Sequence, residues 1–166
     1  MWLPVAIFML GKDQPAKGTG VVTGIVGILT ILSCILQVTV FKDNFIAALL
    51  VVHGVFYCSL AYALITGAED MRFVGNTSLT TALVSTIYTI LAFTGGPILE
   101  GGKQLIAKSN FLGLACAGYA VLTFMVWLFA YGKFPGKIIA WCLVVWVVVG
   151  LWIPAFWLMA AGKLPF

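Results

Sequence analysis

The chain has 166 residues and a formal net charge of +4, with 63% hydrophobic and only 8% charged residues. That much apolar surface is more than a soluble domain can bury, so composition excludes the soluble classes and defines an integral membrane protein. Nine basic and five acidic residues lie scattered through short connections and form no basic patch, which leaves the lipid bilayer, not nucleic acid, as the partner of these charges.

Trp2–Leu10 is apolar throughout. Nine helical residues reach about 13 Å, against a hydrocarbon layer of about 30 Å, so this stretch reads as a short or half-membrane helix followed by a loop over residues 11–18. It lacks the charged leader and small-residue cleavage site of a signal peptide and is read as part of the mature protein. Residues 19–41 are long enough to span. There Thr23, Thr30, Cys34 and Gln37 share one helical face with Gly20 and Gly27, and Gly20-xxx-Gly24 has the spacing of close helix contacts. Packing accounts for the glycines; the amide of Gln37 is harder to explain that way, and Thr23, Thr30 and Gln37 are candidates to line a polar path.

Residues 42–44 make a tight turn, with Asn44 as N-cap of a third helix over 45–66. His53 and Tyr57 lie four residues apart on one face of it, and His53 is the single histidine of the chain. An ionisable group inside a span is a functional candidate, although a histidine bonded to a carbonyl or hydroxyl can equally be structural. The most charged loop covers 67–76. A fourth helix over 77–94 ends at Gly95-Gly96-Pro97 and carries Thr77, Ser78, Thr81, Ser85, Tyr88 and Thr89 on one side. Hydroxyls in hydrocarbon need partners, so this stripe must face other helices or water; Thr81, Ser85 and Tyr88 are the candidates from it.

Residues 95–109 form the longest connection, and Ser109 or Asn110 can cap a fifth helix that runs to 131. Gly113, Cys116, Tyr119, Ala120, Thr123 and Trp127 fall within about one quadrant of that helix. A quick turn leads into the last helix, 138–159, whose Trp141 and Trp152 face one side and whose Trp146 and Trp157 face nearly the other. One of these pairs meets lipid or another subunit, and Pro154 should kink the helix near Gly150. The fold expected is an all-α, polytopic membrane helix bundle of six membrane segments, the first one short, in a single domain over 1–166. With alternating loops, Lys12, Lys17, Arg72, Lys133 and Lys137 oppose Lys42, Lys103, Lys108 and Lys163, a balance that favours both termini outside.

No acidic residue sits mid-membrane to couple transport to protons or sodium, and no nucleotide, hydrolase or metal motif is present. Cys34, Cys58, Cys116 and Cys142 stand in apolar runs without a CxxC pair and read as small buried hydrophobes. Neither catalysis, a cofactor nor a metal site is expected. What remains is a set of neutral polar stripes on the second, fourth and fifth helices, able to exchange hydrogen bonds with a small neutral solute. The candidate lining combines the residues above with His53 and Tyr57, Cys116, Tyr119, Thr123 and Trp127, and Trp152. The competing readings are a non-transporting structural subunit of a larger membrane complex, in which the stripes only hold helices together, and a transporter for another small metabolite.

Gly132-Lys133-Phe134 in the fifth loop, paired with Trp152-Ile153-Pro154-Ala155 in the last helix, resembles the AmiS/UreI family of urea and short-chain amide channels. Residues 9–27 are similar to that family's first loop and second helix, and Phe56-Tyr57 and the 70–75 loop also look like it. The resemblance implies a twisted six-helix protomer in a homohexameric ring in a bacterial or archaeal inner membrane, each protomer with its own passive pore for urea or small amides. It also implies departures. Cys116, Tyr119 and Thr123 stand where the family's fifth helix carries pore tryptophans, so the constriction is wider or built elsewhere. Trp146 replaces a glutamate of the last helix, the first helix lacks an extension with apolar pore residues, and one histidine cannot make the acid-sensing loops of some members.

Overall fold

The computed structural model describes residues 2–11, 15–100, 102 and 104–162, and among them no β-strand forms beyond a single bridge between Ile98 and Gln104. Five helices are long and apolar enough to cross a membrane: α2 (Ala16–Phe41), α3 (Asn44–Thr66), α4 (Arg72–Thr94), α5 (Asn110–Ala130) and α6 (Gly136–Ala161). The nine-residue α1 (Trp2–Leu10) precedes them. The first loop is shorter than expected because α2 starts at Ala16. Lys12, Lys103 and Lys163, which enter the comparison of loop charges, lie outside the described residues.

Several boundaries follow from local chemistry. Asp43 rather than Asn44 caps α3, its Oδ1 accepting from the Ile46 amide at 2.9 Å, and Ser109 Oγ accepts from the Leu112 amide at 3.1 Å to start α5. Helices α3 and α4 close on Gly67 and Gly95, at φ 67° and 84°, left-handed values that glycine adopts without a Cβ penalty.

The fourth helix begins at Arg72, five residues before the expected start. Asp70 Oδ1 accepts from the Arg72 amide at 2.9 Å and its carboxylate also takes the Arg72 side chain; the guanidinium holds the Asp70 carboxyl down at about 2. Gly75-Asn76, which reads as a turn, is instead helical. A Cβ on Gly75 would stand 2.7 Å from the Ala130 methyl, and Asn76 Oδ1 accepts from the Tyr131 hydroxyl at 2.8 Å, so both residues serve the α4–α5 contact.

Pro154 follows a stretch of α6 that departs from α-helical bonding. It cannot donate to the carbonyl of Gly150, and α6 answers with a π-helical stretch over Val147–Trp152 immediately before the proline.

Small residues set the helix spacing. Gly20, Gly24 and Gly27 of α2 lie against Ala61, Leu64 and Cys58 of α3, and Gly54 of α3 returns the contact onto Ile31. The core gathers Trp2, Val5 and Ala6 of α1, Phe56, Tyr57 and Leu60 of α3, and Ile139, Leu143 and Val147 of α6. The short first helix buries Trp2, Val5 and Ala6, and the longer α2 buries fully only Gly20, Thr23 and Gly27.

A chain of cavities inside the bundle

Most of the hydroxyl stripe of α4 meets backbone, and only Thr77 borders a cavity, the one between α3 and α4. Ser78 Oγ donates to the Thr123 carbonyl of α5, and the Tyr88 hydroxyl donates to the Phe45 carbonyl at 2.5 Å. Thr81 Oγ1 donates to Thr77 at 2.9 Å, with Val52 of α3 at 3.5 Å. Ser85 is fully buried, and its Oγ has no partner among the described residues. This side of α4 is held between α3 and α5.

More open space lies elsewhere. A cavity of about 360 Å³ is bounded by Trp2 of α1, Val26 and Thr30 of α2, Leu49, Leu50, His53 and Tyr57 of α3, Leu112, Ala115, Cys116 and Tyr119 of α5, and Leu151 of α6. Its size falls in the range of about 300–1,000 Å³ common for small-molecule sites. Of the residues expected to line a path, Thr30, His53, Tyr57, Cys116 and Tyr119 come together here. Thr23, Thr81, Ser85, Tyr88 and Thr123 lie outside it in helix contacts, and so does Gln37 in the π-helical end of α2. Trp127 packs on Phe124 and Tyr131, and Trp152 is 57% exposed on the outside of the bundle.

The polar groups of the cavity are few and held by neighbours. Thr30 donates its hydroxyl to the Val26 carbonyl at 2.8 Å. His53 Nδ1 lies 2.9 Å from the Leu49 carbonyl. A carbonyl only accepts, so Nδ1 carries the proton, and in the neutral ring Nε2 is left as a bare acceptor. Around the imidazole stand Tyr119 and Tyr57, at ring centroid distances of 5.2 and 6.1 Å, both edge-on. Trp2 closes the group, 5.3 Å from Tyr57 and 6.2 Å from Tyr119.

Two further cavities adjoin the first. One of about 90 Å³, wholly apolar, lies beyond Trp2 among Val5, Met9, Leu64, Met71, Val74 and Phe129. The other, of about 320 Å³, lies beyond Leu112 between Asp43, Phe45, Ile46 and the 105–107 segment. That segment is folded back onto the end of α4 by bonds from Ile106 to Gly95 and from Ser109 to Ala92. Trp2 and Leu112 are walls shared by neighbouring cavities, so the three follow one another from the 95–109 connection toward the 67–71 and 131–135 turns.

The sequence reading passes over Trp2, Leu112, Leu49 and Leu151 as lining. In an apolar chain such residues differ in no way from those facing lipid; only the period linking Trp2, Val5, Ala6 and Met9 on one face of α1 hinted at an inner surface.

An all-helical multi-pass membrane bundle whose helices border a series of adjoining cavities is the class these features define. Residues 3–162 match the AmiS/UreI family transporter description, and the chain belongs to that family. No curated protein matches it. Among solved structures, the crystal structure of the urea channel from the human gastric pathogen Helicobacter pylori superposes with a TM-score of 0.79 over 98% of this chain and 93% of that one. The two share 23% sequence identity, a likeness in fold.

Proposed function

We propose that this protein is a passive channel for small neutral solutes, urea or short-chain amides, with one pathway through each protomer. The observation that carries the reading is the succession of three cavities along the bundle that share Leu112 and Trp2 as lining residues. Among the described residues no carboxylate, lysine or arginine borders the central cavity, so no fixed charge among them holds or repels an ion there, and selection falls to bore and hydrogen bonding. Family membership and the fold of the Helicobacter pylori urea channel support the same solute class.

In this reading Thr30, His53, Tyr57, Cys116 and Tyr119 face the solute, Trp2 and Leu112 divide the path, and α1 counts as a sixth, half-crossing membrane segment. The protomers assemble as a homohexamer in a bacterial or archaeal inner membrane with both termini outside. Outward-facing Trp141 and Trp152, 61% and 57% exposed, supply apolar surface for lipid or for a neighbouring copy.

The test is stopped-flow shrinkage of proteoliposomes in urea and acetamide. The expected result is permeability above that of empty vesicles, unaffected by collapsing proton or sodium gradients. Vesicles no leakier than empty ones would remove the channel. The rival reading, a packing subunit, draws on the α4 stripe, of which Ser78 and Tyr88 bond across to α5 and α3; it predicts a complex with obligatory foreign subunits and no flux.

A further inference from the structure

The geometry points to His53 as the residue that selects for solutes bearing N–H groups, by offering them a hydrogen-bond acceptor inside the central cavity. The inference rests on the channel reading and deepens it. His53 is 6% exposed and borders the cavity. Its Nδ1 proton is committed to the Leu49 carbonyl, one turn back on its own helix, at 2.9 Å. That bond fixes both the tautomer and the ring orientation, in the way a carbonyl fixes the free nitrogen of a metal-binding histidine. Nε2 is then an acceptor with no hydrogen to give, and it is buried without a partner among the described residues.

A buried polar atom without a partner is unusual, because leaving it so costs more than a hydrogen bond returns. Of the other polar groups on the wall, Thr30 has committed its proton to the Val26 carbonyl, and the hydroxyls of Thr30, Tyr57 and Tyr119 can act as donors or acceptors, whereas Nε2 of the neutral ring can only accept. A solute entering from water loses its hydration at this level. One that carries an N–H recovers a bond at Nε2, and one whose nitrogens are fully alkylated does not. A site that can hydrogen-bond a substrate N–H rejects analogues lacking it more strongly than an apolar pocket rejects a change of size. The aromatic rings of Tyr57 and Tyr119 stand edge-on to the imidazole and restrict its rotation.

The experiment compares wild type with His53→Phe, which keeps a ring and removes the acceptor, and His53→Gln, which returns an amide oxygen near the position of Nε2. Permeability is read by stopped flow for urea, acetamide and N,N-dimethylformamide, each against empty vesicles. Expected is a fall of about tenfold for urea and acetamide in His53→Phe, partial recovery in His53→Gln, and no change for dimethylformamide. Wild-type rates and ranking in His53→Phe overturn the inference. A second readout needs no variant: the chain has one histidine, so its two ¹⁵N resonances are assigned without ambiguity. Urea should move the bare Nε2 resonance of the wild-type protein while dimethylformamide leaves it in place. A resonance that urea does not move, in protein that carries urea, also overturns it. Wild-type vesicles no leakier than empty ones would instead remove the channel reading itself.

Discussion

The indole of Trp146 lies directly across Gly118. A methyl group at position 118 would come within 2.0 Å of its Cη2 atom, and Gly150, a turn further along α6, would crowd the same ring at 2.6 Å. Trp146 thus occupies a slot between two glycines, with its face 5.7 Å from Tyr119, a wall of the central cavity. Gly118→Ala must expel the ring or part α5 from α6, at an overpacking cost of about 1–3 kcal/mol. The expected outcome is a lower melting temperature together with altered urea permeability. Unchanged flux in a destabilised protein would separate Trp146 from the pathway.

Cys116 gives the cavity a native chemical reporter. It is buried, free and part of the central wall, whereas Cys34, Cys58 and Cys142 are half-buried and border no part of it. A small mercurial should therefore slow urea flux in wild type, and Cys116→Ala should be resistant while keeping near-normal flux. Equal inhibition of Cys116→Ala would assign the block to one of the other thiols.

The α4 stripe makes the opposite prediction. Ser78 donates across to the Thr123 carbonyl, and neither residue lines the central cavity. Ser78→Ala should reduce stability by about 0.6–1 kcal/mol, the usual worth of a hydrogen bond between membrane helices. Permeability should stay at the wild-type level. A selective loss of flux without loss of thermal stability would return the stripe to the pathway.

These contrasts show what could be read from sequence. His53 and Tyr57 stand out because polar groups four residues apart in an apolar span need a reason, and Cys116 and Tyr119, three apart and on one face, stand out likewise. The hydroxyls of α4 have an equally clear period, yet a stripe that serves a helix contact and one that lines water have the same spacing. Partners distinguish them, and Phe45 and Thr123 are 43 and 45 residues away along the chain. Gly75 misleads for a related reason: the residue that ends helices is also the one that lets Ala130 approach. Trp2 and Leu112 carry no mark at all, since apolar lining and lipid-facing surface obey the same chemistry.

Trp2 bears the most weight of these unmarked residues. It is 5% exposed, touches Phe56, Tyr57 and Tyr119 with its ring, and forms the wall common to the central and the apolar cavity. If the proposed path runs through both cavities, a solute crossing between them passes this indole, and its bulk sets the size limit. Complete truncation would cost about 3–5 kcal/mol by analogy with buried tryptophans elsewhere and endanger folding; Trp2→Leu keeps an apolar side chain and opens the partition more gently. In Trp2→Leu the permeability ratio of butyramide to urea should rise several-fold, with urea flux itself equal or faster. If the ratio stays at its wild-type value while the protein remains folded, the indole is no partition. The path would then run through the α3–α4 groove lined by Val51, Val55 and Thr80, the other side of the helix that carries His53.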